Sequence, residues 1–287
     1  VYVNGSNLLD GRNNDKVIIE IINKKTREGK VVRILKRDDS SLIGEVYVKN
    51  GEYFVHPDKS GYSDIFIPND KLLGAVEGHK VIVKQIIEGH ERIGEILKII
   101  GHKNDVGVDI LSFVYQYEFE PVHSDEVMDA VASIPNHVLE DEYDGRLDLR
   151  DKVIFTIDGD DTKDIDDAVS IKKISNDVYE LGVHIADVSH YVKRDSVIDR
   201  DAYDRGTSVY LVDRVIPMLP HTLSNGICSL NPEVDRLALS CIMNVNSKGY
   251  VISYKICESV IRSRKQMTYK CVNDILEKNI IPEGYEP

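Results

Sequence analysis

The chain has 287 residues, 42% of them hydrophobic, and a formal net charge of −13 at pH 7. This hydrophobic content is sufficient for folded cores, and the length favours two or three domains. No stretch approaches 18 uninterrupted apolar residues and no signal peptide opens the sequence, so we expect a cytoplasmic protein without membrane contact.

The negative charge is concentrated in one block. Residues 118–167 hold 17 Asp and Glu against 4 Lys and Arg, whereas the rest of the chain is balanced at 32 against 32. Residues 15–37 are basic, with 8 Lys and Arg against 3 Asp and Glu. Because local patches bind phosphates, the total charge does not exclude an RNA-binding protein.

An internal repeat occupies the first hundred residues. Lys16–Ile19 recurs as Lys80–Val83, and Gly29–Leu35 recurs as Gly94–Ile100, with offsets of 64 and 65 residues. Each copy predicts two strands joined by a charged hairpin. The second copy follows further short strands predicted at 42–48, 52–55 and 64–67, broken by Asn50-Gly51 and Gly61.

This layout is typical of a small five-stranded barrel of the oligonucleotide-binding (OB) type. We predict one such barrel at 39–102 and the C-terminal part of an earlier barrel at 1–38, where the sequence has no room for opening strands. Six aromatic or imidazole side chains in the second barrel could stack on bases or could pack in and around the barrel core: Tyr47, Tyr53, Phe54, His56, Tyr62 and Phe66.

Residues 103–150 are predicted to form an acidic linker region with helical content, apolar at Val127, Val131 and Ile134. From residue 151 to 287 strands dominate. They are predicted at 152–157, 168–174, 178–188, 237–245 and 250–260, with hairpin turns at 176–177 and 247–249 and helices at 198–205 and 268–278.

The densest chemical signal follows the first of these strands. Six aspartates fall within ten residues: Asp158, Asp160, Asp161, Asp164, Asp166 and Asp167. Crowded carboxylates repel one another, so they require a cation, raised pKa values or full exposure to water. Mg²⁺ takes oxygen ligands, and two such ions about 4 Å apart can clamp both oxygens of a phosphodiester displacement.

Two simpler interpretations of the acidic run are a solvated loop and a structural calcium loop. An EF-hand does not fit, because counting from Asp158 the sixth position is Lys163 and the twelfth is Val169. His184 and His190 are interpreted as structural, since a hard ion favours oxygen ligands. The spacing of the four cysteines favours reduced, buried thiols.

Five segments occur in a characteristic order: TIDGDDTKDIDDAVS, HIADVSHYV, RGTSVYL, VIPMLPHTLSNGICSLNPEVDRLALSC and SKGYVISYKICESVI. The sequence thereby resembles the ribonuclease R and ribonuclease II (RNB) family, and is more similar to the ribonuclease R branch. The resemblance implies a β-rich α+β fold, with tandem OB-fold (cold-shock-type) barrels followed by a truncated mixed α/β RNB catalytic domain.

The resemblance also implies an activity. Family members are processive, hydrolytic 3′-to-5′ exoribonucleases that act on single-stranded RNA and release nucleoside 5′-monophosphates with Mg²⁺, for which Mn²⁺ is a possible substitute. By this resemblance the catalytic, metal-binding acids are Asp158, Asp164, Asp166 and Asp167. Asp160 and Asp161 fall on spacer positions.

Two tyrosines match substrate-binding positions of the family. Tyr210 matches a tyrosine that stacks on a base near the 3′ end, and Tyr269 matches one that contacts the ribose. A structural role remains the alternative for both. Relatives continue past Pro287 with an essential arginine and a C-terminal barrel, so we expect this sequence to be a fragment with impaired activity. The competing function is a non-catalytic RNA-binding protein on the same fold.

Overall fold

A computed structural model describes residues 1–9, 11, 15–36, 41–88 and 91–281, with the side chains of 87, 88, 91 and 92 excepted. The chain divides into two compact units, Val1–Pro121 and Val122–Pro287. No helix in the described part of the chain is both long enough and apolar enough to cross a membrane.

The first unit opens with a three-stranded sheet. Its strands are β1 (Tyr2–Val3), β2 (Lys16–Asn23) and β3 (Glu28–Lys36), in the order β1-β3-β2. Strands β2 and β3 form the antiparallel hairpin that the first repeat copy predicts, and β1 adds in parallel to β3.

A five-stranded sheet follows. Its strands are β4 (Leu42–Lys49), β5 (Glu52–Pro57), β6 (Ile65–Ile67), β7 (His79–Glu88) and β8 (Glu91–His102), in the order β6-β5-β4-β7-β8. The two edge strands meet, because a Cβ on Gly94 of β8 would lie 2.4 Å from Ile67 and 2.6 Å from Ile65 of β6. The sheet therefore closes around a core that includes Val46, Val55, Val81 and Val83.

The internal repeat extends to irregularities in strand pairing. The register between β2 and β3 shifts at Lys16/Val17 and again at Ile18/Ile19. The register between β7 and β8 shifts at Lys80/Val81 and at Ile82/Val83, which are the same positions of the repeat. The two hairpins thus share their bulges as well as their sequence.

Two helices lie in the segment predicted as a linker. Helix α1 (Val108–Gln116) belongs to the first unit, and α2 (Asp125–Ala132) belongs to the second. Val127 and Val131 of α2 are almost fully buried in a cluster with Ile198 and Leu223. The acidic face of α2 is therefore the outer side of a helix whose inner side forms part of the core.

A seven-stranded sheet forms the centre of the second unit, in the order β17-β10-β11-β12-β15-β16-β9. Its strands are β9 (Leu147–Asp148), β10 (Ile154–Asp158), β11 (Asp167–Lys173), β12 (Val178–Ala186), β15 (Asp235–Asn246), β16 (Val251–Arg262) and β17 (Lys265–Thr268). Helices α3 (Val188–Tyr191), α4 (Val197–Arg205) and α5 (Tyr269–Lys278) and a small hairpin of β13 (Val209–Tyr210) with β14 (Val215–Ile216) complete the unit.

The predicted strands of this unit are present with small shifts in their ends. The strand predicted at 178–188 ends at Ala186, because α3 begins at Val188. Asp187, between them, has backbone angles outside the strand region and accepts a hydrogen bond at 2.7 Å from the buried Arg146 guanidinium.

Candidate active site

The acidic segment joins two neighbouring strands of the central sheet. Asp158 is the last residue of β10 and Asp167 is the first residue of β11, and the two strands run antiparallel. Residues 159–166 form the loop between them, which we call the carboxylate loop. Asp164 and Asp166 lie in its second half.

The backbone of the carboxylate loop is held by hydrogen bonds from several elements. Ser229 Oγ donates to the Lys163 carbonyl at 2.9 Å and accepts from the Ile165 amide at 3.1 Å. Three further bonds fix the loop: Gln266 Nε2 to the Thr162 carbonyl (3.0 Å), the Leu230 amide to the Ile165 carbonyl (2.9 Å) and the Ala186 amide to the Asp166 carbonyl (2.9 Å).

The carboxylates carried by this loop have no comparable compensation. Removal from water raises the pKa of Asp164, and the neighbouring Asp166 raises it further, while His221 opposes the shift. Removal from water also raises the pKa of Asp166, to which Asp167 and Asp158 contribute. The carboxylates between Asp158 and Asp167 therefore repel one another.

One carboxylate oxygen is left without a partner. Asp158 Oδ2 is buried and accepts no hydrogen bond from any described residue. A buried, unpaired carboxylate oxygen is costly unless a cation or a donor satisfies it. Among the described residues, no three His, Cys, Asp or Glu side chains converge closely enough to hold an ion as they stand. The aspartate carboxylates therefore offer the oxygen ligands that suit Mg²⁺, but these side chains do not lie close enough together to share one ion.

A cleft opens beside the loop as two adjoining cavities. The larger has a volume of about 860 Å³ and is lined by residues 159–164 together with Ser208, Tyr210, His221 and Asn225. The smaller, of about 570 Å³, is lined by Asp164, Asp166, Tyr210, Leu219 and Cys228, among others. Of the four predicted catalytic acids, Asp164 and Asp166 therefore face the cleft.

The two predicted substrate-binding tyrosines are both exposed and lie on different elements. Tyr210, on β13, is 71% exposed and lines both cavities. Tyr269 is 67% exposed and is the first residue of α5. Asp158 pairs in register with Thr268, which caps α5, so Tyr269 follows directly after the partner of a predicted acid.

Several residues of the site were not singled out from the sequence alone. They are Ser208, His221, Asn225, Ser229 and Gln266. Four of them lie within segments that carry the family resemblance, which is a signal that these residues are close to the site. Gln266 lies outside those segments, and only the parallel pairing of β17 with β10 brings it to the loop.

Both histidines interpreted as structural take part in hydrogen-bond networks. His184 is fully buried in the sheet, where its ring contacts Ser170 Oγ at 3.1 Å and Ser240 Oγ at 2.6 Å. Burial lowers the pKa of His184 to about 4, assisted by Lys152. His190 is hydrogen bonded to Glu142 at 2.7 Å.

The four cysteines are reduced thiols, as predicted, but the prediction that they are buried is correct only for Cys228. Burial raises the pKa of Cys228 to about 12, so this thiol is neutral and unreactive at physiological pH. The other three are partly exposed because they lie on strands or a helix with one face open to solvent.

The aromatic residues of the barrel separate into two sets. Tyr47, Phe54 and Phe66 are cross-strand neighbours on β4, β5 and β6, with ring centroids 5.6 Å apart in each successive pair. We call these three residues the aromatic row. Tyr53 and Tyr62 instead pack against the barrel core. Asp64 borders the row, accepting from Tyr47 Oη at 2.6 Å and contacting His56 Nδ1 at 2.7 Å.

Comparison with known families identifies both units. The family model described as RNB domain matches residues 146–283, and the model described as cold shock domain matches residues 54–124. The chain therefore contains an RNB domain, preceded by a cold shock domain. The RNB match contains the carboxylate loop and both predicted tyrosines, and the cold-shock match contains Phe54 and Phe66.

Two ribonuclease R proteins illustrate the relationship. The chain is 43% identical to ribonuclease R of Thermotoga maritima over 282 residues, covering 95% of this chain and 40% of that protein. It is 41% identical to ribonuclease R 1 of Lactococcus lactis over 277 residues, covering 94% of this chain and 33% of that protein. The chain thus spans a third to two fifths of the length of these relatives.

Solved structures share the fold of this chain. Mycoplasma genitalium ribonuclease R, solved in complex with ribose-methylated single-stranded RNA, matches with a TM-score of 0.85 and 26% identity, covering 98% of this chain and 46% of that one. Yeast Ssd1, described as a pseudonuclease, matches with a TM-score of 0.64 and 18% identity, covering 94% of this chain and 35% of that one. The β-rich α+β fold class predicted from the sequence is confirmed.

Proposed function

We propose that the chain is part of an exoribonuclease that hydrolyses RNA processively from the 3′ end and releases nucleoside 5′-monophosphates. The proposal rests foremost on the carboxylate loop. Its backbone is held in place by neighbouring elements, yet its acids repel one another. Asp158 Oδ2, just before the loop, has no hydrogen-bond partner among the described residues. Such an arrangement suits a cation site better than a solvated loop, whose carboxylates would be free to separate.

We assign the cation site to Asp158, Asp164, Asp166 and Asp167, with Mg²⁺ as the ion and Mn²⁺ as a substitute. When bound, a pair of such ions supplies an activated water and stabilises the departing 3′-oxygen. The protein supplies the geometry. Asp158 and Asp167 are carried by adjacent strands, while Asp164 and Asp166 present carboxylates to the cleft, where a phosphodiester can lie.

The cleft also offers groups for recognising the end of an RNA strand. Tyr210 is exposed at the wall shared by the two cavities, where its ring can stack on a base of any identity. Tyr269 stands near Asp158, where a ribose could be contacted and its 2′-hydroxyl recognised. The aromatic row of the first unit offers a second surface on which single-stranded RNA can stack.

The experiment that tests this function follows the products of labelled single-stranded RNA incubated with purified protein. With Mg²⁺ we expect nucleoside 5′-monophosphates, and with EDTA we expect none. RNA blocked at its 3′ end should resist degradation, and RNA blocked at its 5′ end should not. Degradation that persists in EDTA, or that begins at the 5′ end, would contradict the proposal.

The second candidate function is RNA binding without catalysis. The match to yeast Ssd1, which is described as a pseudonuclease, favours this candidate. A protein can share a fold without sharing its activity. The two candidates differ in one measurable way. A binding protein would retain labelled RNA in the presence of Mg²⁺ and leave its length unchanged, whereas the exoribonuclease would shorten it.

A further inference from the structure

We propose that Ser229 is a positioning residue of the cation site, which sets the place of Asp164 without touching the ion or the RNA. This inference rests on the cation site of the proposed function. It assigns to one buried hydroxyl the task of holding the carboxylate loop in the shape that an ion requires.

Ser229 Oγ binds the backbone on both sides of Asp164. It donates its hydroxyl proton to the Lys163 carbonyl and accepts the amide proton of Ile165, at 2.9 and 3.1 Å. The hydroxyl has one proton, so its donor capacity is fully used by the loop. The peptide units before and after Asp164 are thereby tied to one atom, which leaves the Asp164 backbone little freedom.

The position of Ser229 is itself well determined. Ser229 is 0% exposed, and the buried Arg236 donates from Nε to the Ser229 carbonyl at 2.7 Å. The next residue, Leu230, donates its amide to the Ile165 carbonyl at 2.9 Å. The short segment of Ser229 and Leu230 therefore forms one rigid support, anchored at Arg236, against which the loop lies.

The loop needs such a support because its own side chains oppose the required geometry. Asp164 and Asp166 repel each other, so without external restraint the loop would relax to separate them. Residues that orient the ligands of a metal through hydrogen bonds typically change metal affinity by about 10- to 100-fold when they are removed. Loss of the Ser229 hydroxyl should have an effect of this size.

The test measures ion binding and loop exchange in the protein without RNA. Mn²⁺ affinity is determined by electron paramagnetic resonance for wild type, Ser229→Ala and Ser259→Ala. Ser259 is the matched control, because its hydroxyl is equally buried but bonds Ser240 and the Ala238 carbonyl and not the carboxylate loop. Hydrogen exchange of the Ile165 amide is followed by nuclear magnetic resonance in the same three proteins.

We expect Ser229→Ala to weaken Mn²⁺ binding by about 10- to 100-fold and to accelerate exchange at Ile165. Ser259→Ala should change neither quantity, although it should lower the melting temperature. Equal Mn²⁺ affinity and equal Ile165 exchange in wild type and Ser229→Ala would overturn the assignment. So would equal losses in both serine variants, since these would indicate a general loss of structure.

The failure of the underlying site would look different. If wild-type protein binds no Mn²⁺, the cation site of the proposed function is wrong and the role of Ser229 falls with it. If Ser229→Ala does not fold, Ser229→Cys keeps a side chain of similar size with weaker hydrogen bonding. In that variant, reduced Mn²⁺ affinity supports the proposal and unchanged affinity overturns it.

Discussion

Tyr210 and Asp164 line the same two cavities, one on the β13 hairpin and the other on the carboxylate loop. A base stacked on Tyr210 would therefore lie within the same cleft as a phosphate held near Asp164. Under the proposed function, the distance along the RNA between these two contacts would set how short a product can become before it is released.

Replacement of Tyr210 by Ala is expected to lengthen the final product of RNA degradation. A base stacked on an aromatic ring contributes about 1–3 kcal/mol, and its loss allows short oligonucleotides to dissociate sooner. Gel analysis of limit products measures this effect. Tyr203→Ala is the matched control, because Tyr203 is 86% exposed and lies on α4. An unchanged limit product in Tyr210→Ala would favour the structural interpretation of this residue.

Asp166→Asn is expected to reduce turnover by about 10²- to 10³-fold, the usual cost of removing one electrostatic contribution to a transition state. RNA affinity should change little, because phosphate contacts elsewhere supply most of it. Asp160→Asn serves as the control, since Asp160 lies in the same loop but is exposed and matches a spacer position. Similar losses in both variants would contradict the division into ligands and spacers.

Phe54→Ala should weaken binding of single-stranded RNA without changing the products. Phe54 is the middle ring of the aromatic row, so its loss removes a stacking surface worth about 1–3 kcal/mol and leaves a gap between Tyr47 and Phe66. Fluorescence anisotropy in EDTA measures the affinity without hydrolysis. Tyr117→Ala, at an exposed aromatic outside the row, should leave affinity unchanged. Equal affinity in all three proteins would argue that the row only stabilises the barrel.

The buried His184 should make the second unit sensitive to acid. Its pKa falls from 6.5 to about 4 because burial disfavours the charged ring. As the pH falls, the unfolded chain therefore binds a proton at His184 before the folded protein does. The stability contributed by the neutral ring is fully present above pH 6.5, decreases as the pH falls from 6.5 towards 4, and is lost once the pH is below 4. The loss amounts to about 2–3 kcal/mol at pH 4.5.

Urea unfolding at pH 7 and pH 4.5 tests this expectation. His184→Gln should be less stable than wild type at pH 7, because Ser170 and Ser240 lose their partner. Its free energy of unfolding should nevertheless fall less between the two pH values than that of wild type. A fall of the same size in both proteins would show that other groups determine the acid sensitivity.

Local sequence patterns predicted the strands because each has a clear apolar period and a recognisable turn. Asn50 and Gly51, for example, both have positive φ angles, 54° and 84°, as a tight hairpin requires. The patterns did not predict the end of β12, since Asp187 interrupts the strand through a buried contact with Arg146, which is 41 residues away. A contact over that distance leaves no local signature.

The residues of the candidate site also divide into those that the sequence could predict and those that it could not. The acidic cluster could be predicted because its six aspartates are close together in the sequence. The four assigned to catalysis, together with Tyr210 and Tyr269, were predicted from a resemblance. Their roles stay predictions. The supports of the loop could not be predicted from spacing, because Ser229 and Gln266 reach it from 64 and 104 residues away. Each binds a backbone group of the loop. Because every residue carries such groups, the sequence does not indicate which of them is bound.

The carboxylate loop is supported through its peptide groups, whereas its proposed chemistry depends on its side chains. These two properties can therefore be inherited separately. A descendant whose aspartates were replaced by neutral residues would lose the repulsion between those side chains and the proposed metal ion. It would keep the hydrogen bonds that the loop backbone makes with Ser229, Leu230, Ala186 and Gln266. Such a lineage could abandon the proposed catalysis in a few substitutions while keeping the fold and the proposed RNA-binding surfaces intact for a new use.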